Sequence, residues 1–139
     1  MTDPLYAREL LRLAASATGA GKLDLCDVQG EASNPICGDR VTVTLNFDGD
    51  GHIAELAHET RACVLAQASA AILSAHLPGA SREEVIALRA DVQAMLGGAK
   101  EPRAPYSDYG ALRGAAEHRN RHTCVLLPLD AVLNALNKD

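Results

Sequence analysis

The chain has 139 residues, 47% of them hydrophobic, and 13 Lys and Arg against 18 Asp and Glu give a formal charge of −5. That length and apolar share fit one compact domain, predicted over residues 1–139, with an ordinary core. An acidic balance without a long Lys/Arg cluster argues against a nucleic-acid stripe and suits docking on a basic protein surface instead. The start, Met1-Thr2-Asp3-Pro4-Leu5-Tyr6, lacks a basic segment followed by an apolar one, and no uninterrupted apolar run approaches the roughly 18 residues of a membrane span. A cytoplasmic protein without membrane contact is predicted. The four cysteines are widely spaced in a chain with a normal core, which points to reduced, reactive or metal-binding thiols rather than a disulfide framework.

Asp3 before Pro4 is a helix start, and Tyr6, Leu10, Leu13 and Ala14 form a helical stripe, so a first helix is expected near residues 4–17. After Gly19-Ala20-Gly21, the alternation of Lys22-Leu23-Asp24-Leu25 predicts a strand. Val41 to Phe47 alternates strongly with β-branched residues and predicts a second. Asp48-Gly49-Asp50-Gly51 then turns the chain into a third around His52 to Leu56. From Ala62 to Leu77 nearly every residue is apolar or small, as in a helix buried almost all round. Pro78-Gly79 ends it. Ser81 and Glu84 make a capping box for a helix carrying Val85, Leu88, Val92 and Met95 up to Gly97-Gly98. Residues 99–110, with Pro102, Pro105 and Gly110, read as a loop or short helical turn. A last helix is expected from about Arg119 to Leu136, with Pro128 bending it or sitting in its first turn. The fold class is therefore α+β: a three-stranded antiparallel sheet with about four to five helices.

Cys37, Asp39, Cys63 and Cys124 read together as one labile metal site. Two ligands one residue apart converge only if the backbone between them turns tightly, and Gly38 permits the positive φ this needs. Pro35 stiffens the approach. Cys63 and Cys124 stand near predicted helix N-termini, where free amides favour thiolates. Three soft thiolates select zinc or iron and sulfide, while the harder carboxylate loosens the grip enough for exchange. Arg40, Arg61 and Arg121 are nearby cations that offset the site's negative charge, or simply solvated surface groups. Cys26 is read as off the site, with a fourth sulfur ligand or a resolving thiol as its alternative. His122, two residues before Cys124, is read as a surface or supporting residue, with metal ligation as its alternative.

These motifs resemble those of the NifU/IscU/SufU family of iron–sulfur cluster assembly proteins. Asn34-Pro35-Ile36-Cys37-Gly38-Asp39 matches the family's Asn-Pro-x-Cys-Gly-Asp. Cys63-Val64-Leu65-Ala66-Gln67-Ala68-Ser69 is similar to its Cys-x-x-x-x-Ala-Ser, and Arg121-His122-Thr123-Cys124-Val125-Leu126-Leu127 to its Arg-x-x-Cys-x-x-Leu. The 61-residue interval between Cys63 and Cys124 resembles the SufU branch, which carries an insertion there. The Leu-Pro-Pro-Val-Lys motif of IscU-type members is absent, and Thr123 replaces the histidine they carry beside the last cysteine, so chaperone-driven transfer is not expected. Thr60-Arg61-Ala62 replaces the usual Gly-x-Gly before Cys63.

The resemblance implies a sheet with helices packed on it and a metal at one end. It implies either Zn2+ at Cys37, Asp39, Cys63 and Cys124, or a transient [2Fe–2S] cluster on the same residues. It implies sulfur acceptance at Cys124, with Cys63 as a further catalytic residue, from a SufS-like cysteine desulfurase, with iron–sulfur carriers or apo-acceptor proteins downstream. The protein would be a scaffold or sulfur-transfer partner rather than an enzyme in its own right. A structural zinc module for protein interaction is the alternative, and a zinc hydrolase is set last because four protein ligands leave no open position.

Overall fold

The computed structural model describes residues 4–16, 18–34, 38–117 and 119–137. The first helix, α1 (Pro4–Ser16), packs on a later helix through its Leu10, Leu13 and Ala14 face. Three strands follow, β1 (Val28–Asn34), β2 (Asp39–Phe47) and β3 (Ile53–Arg61), antiparallel in the order β1-β2-β3. Asp48 builds the β2–β3 turn: its Oδ1 accepts from the amides of Asp50 at 2.9 Å and His52 at 3.0 Å, and its own amide donates to the His52 carbonyl.

The strand expected at residues 22–25 is absent. Gly19 and Gly21 bond the edge of β3 at His58, and the chain then crosses the outer sheet face as an irregular strap. Its fastenings are the Leu23 amide on Thr44 Oγ1 at 3.2 Å and the Asp27 amide on Asn46 Oδ1 at 2.8 Å, and Leu25 is left 86% exposed. The first strand forms instead at Val28-Gln29-Gly30-Glu31-Ala32-Ser33-Asn34, whose pattern is weak because Gly30 interrupts it. A tertiary contact explains that glycine. A Cβ there would stand 2.3 Å from the Ala135 backbone nitrogen and 2.4 Å from the Ala131 carbonyl oxygen, so the last helix lies directly on the strand.

The remaining elements are α2 (Val64–His76), α3 (Arg82–Leu96), a 3-10 segment (Ser107–Glu117) and α4 (Arg119–Leu136). The Ser81–Glu84 capping box is formed at the start of α3. Residues 107–117 are more helical than the proline- and glycine-rich sequence suggests, because Tyr109 and Leu112 are fully buried and anchor the segment against the other helices. Pro128 lies in the middle of α4, not in its first turn. α2 and α4 cover the inner sheet face, where Val41, Val43 and Leu45 meet Ile72, Leu73, Leu129 and Val132 in one buried core. Among the described residues, no helix is long and apolar enough to cross a membrane.

Candidate metal centre

Three separate elements bring donors to one end of the sheet. The β1–β2 hairpin closes with Asn34 opposite Asp39, and the Gly38 amide donates to the Asn34 carbonyl at 2.8 Å. Gly38 has φ +74° with open space around it, so glycine answers a conformational need there rather than a steric one. Asp39 thereby becomes the first residue of β2. Arg40 pairs across to Arg61, which brings the end of β3 alongside, and Cys63 follows as the N-cap of α2. Cys63 makes no side-chain capping bond. The turn that carries it is clasped by Gln67, whose amide bonds the Cys63 carbonyl at 3.1 Å and whose Nε2 bonds the Ala62 carbonyl at 3.1 Å. Gln67 was missed in the sequence, where only its place in the Cys-to-Ser motif hinted at a role.

Cys124 reaches the same point from α4. Its Sγ lies 3.5 Å from Asp39 Oδ2, and the donor atoms of Asp39, Cys63 and Cys124 all lie within 4.8 Å of one another. Cys37 falls outside the described residues. The placement of Cys124 corrects one expectation: α4 begins at Arg119, so the thiol sits in the second turn and gains little from free N-terminal amides. Burial foremost, with the adjacent Cys63 thiol and Asp39 carboxylate, pushes its pKa up to about 12. Without a cation this buried sulfur stays a thiol.

That chemistry is the test of fit for zinc or iron. Tetrahedral coordination with Zn–S near 2.3 Å and Zn–O near 2.0 Å separates the ligand atoms by about 3.5–3.8 Å. The Cys124–Asp39 distance already has that value, and a divalent ion removes the penalty on the thiolate. The donor set therefore fits.

Of the other sequence candidates, Cys26 precedes β1 at the end of the sheet opposite Asn34, and its thiol is free. Among the described residues, the converging donors are those of Asp39, Cys63 and Cys124. Arg40 bonds Glu31 at 3.4 Å on the outer face, and Arg61 and Arg121 are exposed. His58, which carried no spacing signal, is buried with both ring nitrogens engaged, by Thr60 Oγ1 at 2.8 Å and the Thr18 carbonyl at 2.9 Å. It is a structural clamp.

The family model for the NifU-like N terminal domain matches residues 5–124. The chain is 28% identical over 134 residues to the iron-sulfur cluster assembly scaffold protein IscU of Thermotoga maritima, covering 96% of this chain and 94% of that protein. It is 26% identical over 138 residues to the zinc-dependent sulfurtransferase SufU of Bacillus subtilis, covering 99% and 92%. The crystal structure of a nitrogen-fixing NifU-like protein (N-terminal) from Brucella abortus superimposes with a TM-score of 0.89 at 29% identity, covering 96% of this chain and 92% of that one. Motifs, fold and matched length agree, and the chain belongs to the NifU-like N-terminal domain family.

Proposed function

We propose that this protein serves iron–sulfur cluster assembly by accepting sulfur from a cysteine desulfurase, in the manner of the SufU branch. The observation that carries the reading is the convergence of the Asp39, Cys63 and Cys124 donors from β2, the head of α2 and α4. Cys37, two residues before Asp39, completes the proposed ligand set. The SufU-type reading is supported by the long Cys63–Cys124 interval, by the missing chaperone motif, and by the presence of a zinc-dependent sulfurtransferase among the relatives.

Zinc, when bound, would hold the cysteines as thiolates at neutral pH. Each residue then has a distinct task. Asp39 would supply a hard oxygen, a weaker partner for zinc than sulfur, so the ion would be held less firmly than by four thiolates. Cys63 is pinned by the Gln67 clasp. Cys124 is the proposed acceptor: its thiolate attacks the outer sulfur of the desulfurase persulfide, the S–S bond to the partner breaks, the partner's thiolate leaves, and Cys124 carries the persulfide. A [2Fe–2S] cluster assembled on the same residues would be cargo. The partners are a SufS-like desulfurase and downstream carriers or apo-acceptors, in the reducing cytoplasm where free thiols persist. A purely structural zinc module is disfavoured because the chain buries an extensive apolar core, with Leu45, Ile72, Leu129 and Val132 in it, whereas a structural zinc domain takes its folding energy from the ion.

The test is sulfur uptake. The zinc-loaded protein is incubated with a cysteine desulfurase and cysteine, quenched with a thiol-blocking reagent, and mapped by peptide mass spectrometry. Added sulfur on Cys124, lost in Cys124→Ser with the fold retained, is the expected result. Undiminished uptake in both Cys124→Ser and Cys63→Ala overturns the proposal.

A further inference from the structure

A buried polar chain between α2 and α4 plays no direct part in holding a metal. Ser69 lies six residues after Cys63 on α2 and is fully buried, as are Tyr109 of the 3-10 segment and Val125, the residue after Cys124. Ser69 Oγ stands 2.8 Å from the Val125 carbonyl oxygen and 2.7 Å from the Tyr109 hydroxyl oxygen. A serine hydroxyl has one proton. Since it donates to Val125, it accepts from Tyr109, and the chain runs from the Tyr109 phenol through Ser69 to the α4 backbone.

This chain meets α4 at Val125, three residues before Pro128. Pro128 has no N–H, so the Cys124 carbonyl four residues earlier loses its helical bond, and the proline ring crowds that carbonyl. The turn bearing Cys124 is thus short of internal bonds, and its neighbouring carbonyl is held from outside by Ser69. Apolar side chains would fill the same space without a directional bond. Two hydroxyls in an apolar layer, each satisfied, fix one arrangement of the two helices.

We propose that Ser69 and Tyr109 are positioning residues of the metal centre: they lock the Cys124 turn of α4 against the helix that begins at Cys63. Through Tyr109, residues 107–117 become a brace for the site rather than a surface ornament. The inference rests on reading Asp39, Cys63 and Cys124 as metal ligands.

The test uses Tyr109→Phe, which keeps the ring and removes one oxygen, and Ser69→Ala. Three quantities are measured: zinc affinity by competition with a chromophoric chelator, the visible spectrum of the Co2+-loaded protein, and the urea midpoint of the metal-free protein. Both variants are expected to bind zinc about tenfold more weakly, as when supporting partners of metal ligands are removed, with a weaker sulfur-to-cobalt charge-transfer band. A purely structural role lowers the urea midpoint and leaves both metal readouts at wild-type values, which overturns the proposal. Failure of Tyr109→Phe to fold also counts against it, because the pair would then serve the whole core. Wild-type protein that binds neither Zn2+ nor Co2+ refutes the metal reading itself, and this inference with it.

Discussion

Gly30→Ala is a one-carbon change on β1, far from Cys124 in sequence, yet it should disturb the site. The new Cβ would lie 2.3 Å from Ala135 N, 2.4 Å from Ala131 O and 2.7 Å from Ala135 Cα, all backbone atoms, so no rotamer relieves the clash. Reaching 3.0 Å, below which real Cβ contacts are essentially never found, requires α4 and β1 to separate by about 0.7 Å. Overpacking of this kind costs about 1–3 kcal/mol. For a domain of this size that corresponds to a fall in Tm of roughly 3–10 °C. Because α4 also carries Cys124, the displacement should appear as weaker zinc binding in chelator competition, not only in thermal unfolding. Gly49→Ala is the control, since nothing lies within 4 Å of its would-be Cβ, and it should leave both measurements unchanged. A Gly30→Ala protein with wild-type Tm and wild-type zinc affinity would refute the claim that the helix backbone rests on this strand and positions the thiol.

Burial holds His58 below its usual value, so the folded protein keeps the ring neutral while the unfolded chain takes up a proton near pH 6.5. Stability from this clamp is complete above about pH 6.5 and is lost as pH falls below it, at up to about 1.4 kcal/mol per pH unit. Thermal melts from pH 7.5 to 5 should show the decline, and His58→Gln should flatten it; an unchanged slope contradicts the assignment. Cys26→Ser should leave zinc content, zinc affinity and sulfur uptake at wild-type values, since Cys26 lies at the far end of the sheet from Asp39; a loss of bound metal in this variant, measured by elemental analysis, rules out that separation.

The parts legible in the sequence were those whose cause is local. Gly38 announced its turn because only a residue without Cβ relaxes there, and the Ser81–Glu84 box named its own helix start. The Val41–Phe47 strand advertised itself by alternation. What stayed hidden depended on distant partners. Residues 22–25 alternate, yet they are drawn across the outer sheet face by Thr44 and Asn46, while Val28–Asn34 is a strand because α4 needs a glycine beneath it. The position of Cys124 in the second turn depended on where α4 begins, which no cap residue signalled, and the upward push on its thiol comes from burial beside Cys63 and Asp39. Tyr109 could not be tied to Ser69 from a linear pattern, because 40 residues separate them.

The central claim is that Cys37, Asp39, Cys63 and Cys124 hold one ion. X-ray absorption at the zinc edge of the purified, zinc-loaded protein tests it most directly. The account predicts three sulfur neighbours near 2.3 Å and one oxygen near 2.0 Å, with one sulfur lost in Cys124→Ser. A shell of nitrogen and oxygen alone, or a wild-type spectrum in Cys124→Ser, would contradict it.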